Sequence, residues 1–145
     1  MRNRFMAVTI VVLALMAPLV PAGAHGDQWP PDCNFFRNGP FRDNGTNLIY
    51  GLGTITCDYQ HAKNVVQTQL RFSPSGNEGT YSTVYNGSKT TWDTNEAQHR
   101  GEKDVCNTGA GYFKVRMYGD VYNSSNVLVH SGTDVSDARY FACVV

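Results

Sequence analysis

Five residues of this chain form a candidate set for proton transfer and charge stabilisation: His61, Glu96, His99, Arg100 and His130. Together they would supply an acid, a base and a cation, the set that secreted ribonucleases use. Glu96, His99 and Arg100 are sequence neighbours in the most charged stretch, Thr94 to Asp104, which reads as a long exposed connection. A solvated loop explains them as well as a reaction does, and it is the preferred reading, because acid–base work needs a geometry that spacing alone does not supply. No Gly-x-Ser-x-Gly elbow, His-Glu-x-x-His helix or phosphate loop accompanies them. His25 offers different chemistry. Cleavage after Ala24 leaves it at the N-terminus, where its α-amine and a ring nitrogen face one metal ion. One further histidine, from His61, His99 or His130, would complete a three-nitrogen site of the kind that suits Cu(II).

That cleavage follows from the start of the chain. Arg2 and Arg4 precede an apolar run from Phe5 to Val20, and Ala22-Gly23-Ala24 gives an Ala-x-Ala junction. This is the pattern of a secretory signal peptide over residues 1–24. The run is short for a membrane span and ends in prolines and glycine, so no span is expected after cleavage. Of 12 basic residues, Arg2 and Arg4 leave with the leader, so 10 face 12 acidic ones in the mature part. A chain so nearly balanced, with no basic patch, is not built for nucleic acid.

All four cysteines, Cys33, Cys57, Cys106 and Cys143, lie in the mature part. An even count in a small exported chain points to two structural disulfides. No close Cys-x-x-Cys pair supports a thiolate metal site instead. Three connectivities exist, and Cys33–Cys57 with Cys106–Cys143 is expected. The first pins the N-terminal segment and the second holds a terminal strand that would otherwise fray.

The elements that must hold these residues are strands. Asn47 to Tyr59 alternates, with Ile49, Ile55, Cys57 and Tyr59 on one face and Gly51 and Gly53 leaving that face bare, the mark of a bulge or close backbone approach. Val65–Phe72, Thr80–Tyr85 and Ser88–Asp93 follow, the last two joined at Asn86-Gly87 as a hairpin. In Tyr112–Tyr122, Phe113, Val115, Met117 and Val121 alternate with Tyr112, Lys114, Arg116, Tyr118 and Tyr122. Those outward tyrosines suit a sugar- or protein-binding face, or ordinary cross-strand pairing. Val127–Ser131 and Tyr140–Val145 complete about seven strands, with no helix-period segment. Residues 25–46 read as an irregular segment pinned by Cys33, and residues 47–145 as an all-β antiparallel sandwich. The sequons at Asn44, Asn86 and Asn123 read as turns.

Gly51 to Cys57, Cys106 to Val121 and the late Cys143 resemble small secreted bacterial immunoglobulin-like β-sandwich proteins. The resemblance implies an immunoglobulin-like fold and no particular activity. The order of Trp92 and the cysteines is not that of antibody domains, so their inter-sheet disulfide is not carried over. His25-Gly26 is also similar to the start of lytic polysaccharide monooxygenases. Trp92 to His99 resembles their segment bearing the other copper ligand, which would make that ligand His99. The leading expectation is a secreted, extracellular, disulfide-stapled binding protein without catalytic residues, cofactor or metal. Its partner would be an extracellular protein or polysaccharide. Copper binding through His25, or a small hydrolase, is the alternative.

Overall fold

The computed structural model describes residues 32–144; His25, the leader and the proposed cleavage site lie outside the described residues. Six strands form one antiparallel sheet: β1 (Cys33–Arg42), β2 (Leu48–Ser73), β3 (Ser82–Asp104), β4 (Gly111–Tyr122), β5 (Leu128–Val135) and β6 (Arg139–Phe141). A single turn of helix, α1 (Val105–Thr108), links β3 to β4. Asp104 caps it, accepting from the Cys106 backbone N–H at 2.7 Å.

β2 and β3 dominate. Two expected strands, 47–59 and 65–72, are one continuous strand of 26 residues. The first half of β2 pairs with β1 along one edge and its second half pairs with β4 along that same edge, while β3 runs along the other edge throughout. The ladder between β2 and β3 shifts register between Thr56 and His61, where Asp93 adopts φ 49°. Aspartate tolerates that left-handed conformation better than most residues. Across this bend the fully buried Asn64 donates from Nδ2 to the Thr94 carbonyl at 2.9 Å. The sheet therefore folds over, and the two halves of β2 face each other.

The glycines permit that approach. A Cβ on Gly53 would lie 2.7 Å from Thr68 Oγ1 and 3.0 Å from Met117 Cβ; one on Gly51 would meet Val115. The bare face of Asn47–Tyr59 thus marks a close approach of layers, as its glycines implied. Inside lie two apolar clusters. One joins Cys33, Ile55, Cys57, Val66, Ala97, Met117 and Val121 with Phe35 against it. The other joins Ile49, Val105 and Phe113 with Phe72, Val84 and Phe141. The sheet's curl brings β1 beside β5, where the Arg37 backbone N–H donates to Asp134 Oδ2 at 3.2 Å. Phe35 lies over Gly119 and Gly132, whose missing side chains leave room for its ring.

Both expected disulfides are present, Cys33–Cys57 and Cys106–Cys143. Several local expectations are corrected. Residues 33–42 are not irregular but form β1, in register with β2 from Cys33↔Cys57 onward. Six strands replace about seven, because β2 and β3 each join two expected strands while β1 adds one that was not expected. Asn86-Gly87 sits inside β3, opposite Gln69 and Thr68, and neither residue has positive φ. A two-residue hairpin at Asn-Gly needs left-handed φ at both positions. Here the continuous ladder with β2 takes up those backbone groups instead. The actual reversal lies at Pro74–Tyr81, where Ser73 Oγ accepts from the Gly76 N–H at 2.8 Å. The charged stretch 94–104 is strand, not loop, since its backbone pairs with 48–56. The last strand stops at Phe141, so Cys143 is held by its disulfide beyond the strand end.

Candidate functional site

Making 94–104 a strand disperses the acid–base set expected there. Alternation places Ala97, His99 and Gly101 on the inner side and Glu96, Gln98 and Arg100 on the outer. Arg100 is committed to Asp43 at 2.8 Å and Glu102 at 3.1 Å, and its guanidinium lies 4.1 Å above the Tyr50 ring. The hydrogen bond to Asp43 raises its already high pKa further. His99 stacks on Tyr85, ring centroids 6.1 Å apart and planes 22° from parallel. Burial, and then the charge of Lys89, lower its pKa, because taking an imidazolium out of water disfavours the charged form. Glu96, His99 and Arg100 therefore do not share a site.

The histidines that the fold does bring together are His61 and His130. Their rings meet edge to face at 5.7 Å. His61 stands at the bend of β2. His130 lies on β5, opposite Val121 and next to the register shift at Tyr122. Asp32, immediately before β1, places Oδ2 3.7 Å from His130 Nε2. Cys33 Sγ, tied to Cys57, lies 3.6 Å from His61 Nε2. One nitrogen from each imidazole and the Cys33 sulfur all fall within 4.8 Å of one another. His61 has its pKa lowered, by burial first, then by His130, with Asp32 opposing. An open cavity of about 370 Å³ adjoins, lined by His61 and by Gln60, Ala62, Asp93, Asn123 and Ser124.

The outer face of β4 carries the tyrosines in the expected order. Tyr112, Lys114, Arg116, Tyr118 and Tyr122 all point away from the core, which holds Phe113, Val115, Met117 and Val121. Most of those rings are already engaged. Arg116 lies over Tyr118 at 4.7 Å, and Tyr112 meets Tyr140 at 5.3 Å. Lys63 Nζ lies 3.8 Å above Tyr122 and 5.9 Å from Trp92. Lys63 is directly opposite both residues in the ladders, so Trp92, Lys63 and Tyr122 make one row across β3, β2 and β4. Trp92 is 65% exposed. Further along the same face, Asn86 Oδ1 accepts from Gln67 at 2.6 Å and from Gln69 at 3.4 Å.

Sequence reading found the tyrosine face but neither the row nor the histidine pair. Both depend on register. Trp92 follows Lys63 by 29 positions and His130 follows His61 by 69, far outside the short spacings that mark metal or catalytic motifs. Both histidines stood among the acid–base candidates, but nothing in the sequence paired them with each other. Comparison with protein-family models, curated proteins and solved structures finds no match.

Proposed function

We propose that this chain is a secreted, non-catalytic binding protein whose outer sheet face takes an extracellular polysaccharide. The single observation behind this is the row Trp92–Lys63–Tyr122, in register across three strands with the indole largely exposed. Three adjacent strands span roughly 10 Å. An indole face offers a broad apolar plate for the C–H side of a sugar ring, and its position on a paired strand fixes it at little entropy cost. The Gln67, Gln69 and Asn86 amides further along the same face suit hydroxyl groups, each being donor and acceptor. Secretion is supported by the leader pattern, the two disulfides, and the lack, among the described residues, of a helix long and apolar enough to cross a membrane. The facing halves of β2 and β3 suit a two-layer, immunoglobulin-like arrangement, which this reading adopts as the scaffold.

Affinity electrophoresis against a panel of soluble glucans, xylans, mannans and chitosan tests the reading. Retardation by at least one polymer is expected, lost in Trp92→Ala with circular dichroism unchanged. Binding that survives Trp92→Ala overturns the assigned face. Release of soluble sugar that a single side-chain change abolishes overturns the non-catalytic reading. Binding to no polymer, with capture of a protein through Trp92, moves the partner to the protein class and overturns the polysaccharide.

A further inference from the structure

We propose that His61 and His130, with the Asp32 carboxylate, form a binding site for a divalent transition-metal ion of the zinc class. The three residues come from separate parts of the chain. Asp32 precedes β1, His61 stands at the bend of β2, and His130 lies on β5. The fold alone gathers them, and the Cys33–Cys57 disulfide anchors the Asp32 end. Zinc binds imidazole nitrogen and carboxylate oxygen at about 2.0–2.2 Å, so tetrahedral donors lie roughly 3.3–3.6 Å apart. Asp32 Oδ2 and His130 Nε2 are 3.7 Å apart, and the two imidazoles offer nitrogens within 4.8 Å of each other.

Cys33 Sγ completes the inner wall 3.6 Å from His61 Nε2, but its bond to Cys57 leaves it no thiolate to donate. The protein thus supplies two nitrogens and one oxygen, and an open cavity adjoins at His61, lined also by Asp93 and Asn123. Three protein ligands with an open position are the pattern of zinc sites that bind an exogenous ligand rather than serve structure alone. Imidazole with carboxylate also admits copper and nickel, in the usual order of affinities. A packing role for the imidazole pair would need neither the nearby carboxylate nor the opening.

The site is independent of the Trp92 face, and Trp92→Ala is expected to bind metal as the parent does. Isothermal titration of zinc chloride into the chelator-treated protein is expected to give one site. His61→Ala or His130→Ala should weaken it at least about 100-fold, and Asp32→Asn about 10-fold or more, since losing a ligand costs at least as much as losing a hydrogen-bonding partner of one. His99→Ala and His25→Ala should leave it unchanged. Zinc added to the unsubstituted protein should shift the imidazole NMR signals of His61 and His130 and leave those of His99 in place, so the test survives variants that fail to fold. Titration within threefold of the parent in a folded His61→Ala/His130→Ala double variant overturns the site. So does loss of binding in His25→Ala alone, or zinc at millimolar concentration that leaves the His61 and His130 signals unmoved.

Discussion

At one end of the folded sheet, Phe113 packs its ring on Phe72 at 5.1 Å and on Phe141 at 5.9 Å, two residues before Cys143 of the Cys106–Cys143 disulfide. At the other end, Cys33–Cys57 lies beside His61 and His130, whose rings meet at 5.7 Å. Each end has a disulfide, and each has aromatic rings in edge contact. The first end is filled with phenyl groups, with Phe113 fully buried. The second has imidazoles that are partly exposed and stand next to a carboxylate and a cavity. A phenyl ring contributes only burial and dispersion. An imidazole in its place surrenders part of that for lone pairs that can meet a ligand. The phenyl end should therefore hold the fold, and the imidazole end should be spared by changes that leave its shape intact.

The largest effect tests that division directly. Phe113→Ala should cost about 3–5 kcal/mol through lost burial and a cavity among tightly packed neighbours. Replacing both His61 and His130 by phenylalanine should cost far less than Phe113→Ala, because both imidazoles are partly exposed and stand outside the core clusters. Urea denaturation of the two variants reads both, and equal losses would break the comparison.

Next come the disulfides. They close loops with sequence separations of 24 and 37 residues. In the chain-entropy model these are worth about 3–4 kcal/mol each, the longer loop slightly more. Cys33→Ala/Cys57→Ala and Cys106→Ala/Cys143→Ala should thus lower the urea midpoint to similar degrees. The staples would then be equivalent even though what they enclose is not. A midpoint unmoved by either pair of substitutions would show that the ends are held by packing alone.

A smaller effect lies between the ends. Gly53→Ala should destabilise by about 1–3 kcal/mol, because the new methyl meets Thr68 and the Met117 Cβ where the layers touch. Gly79→Ala, in open space on the turn before β3, should stay within about 0.5 kcal/mol. Thermal melts distinguish them, and a tolerated Gly53→Ala would mean that the layers are less closely apposed.

The smallest effect is the dependence on pH. His99, stacked on Tyr85, binds its proton less readily in the folded chain than in the unfolded one, whose ordinary value is 6.5. Between those two pKa values unfolding takes up a proton, so acid favours unfolding. The neutral form's contribution is complete above pH 6.5 and declines as pH falls through the folded pKa. His61 is shifted the same way and adds to the loss. Melting temperature should fall between pH 7.5 and 5, and less so in His99→Gln. A melting temperature that rises on acidification would show that the imidazoles gain, rather than lose, from being charged in the fold.

Legibility differed sharply between local and long-range features. The inward and outward faces of Tyr112–Tyr122 were readable because a strand's side chains alternate whatever it pairs with. Both disulfides were readable from the positions of the cysteines relative to loose chain ends. The bare face at Gly51 and Gly53 correctly signalled a close approach, though not what approached. The extent of β3 was misread at Asn86-Gly87 and at Thr94–Asp104. In both places local turn and charge preferences yielded to pairing with β2, a partner whose contribution no short window contains.

The residue pattern by itself determined an all-β chain with an apolar inner face, a tyrosine-bearing outer face and two disulfides. These follow from side-chain alternation and cysteine placement, which are local properties of the chain. Only the tertiary structure decided that β2 bends at His61, that β1 is a strand, and that Trp92, Lys63 and Tyr122 fall in one row. It alone set His61 and Asp32 beside His130 while turning His99 away to Tyr85. The reason is physical. Alternation fixes which way a side chain points, but the register between strands and the curl of the sheet fix what it points at, and both are settled by packing across the whole core.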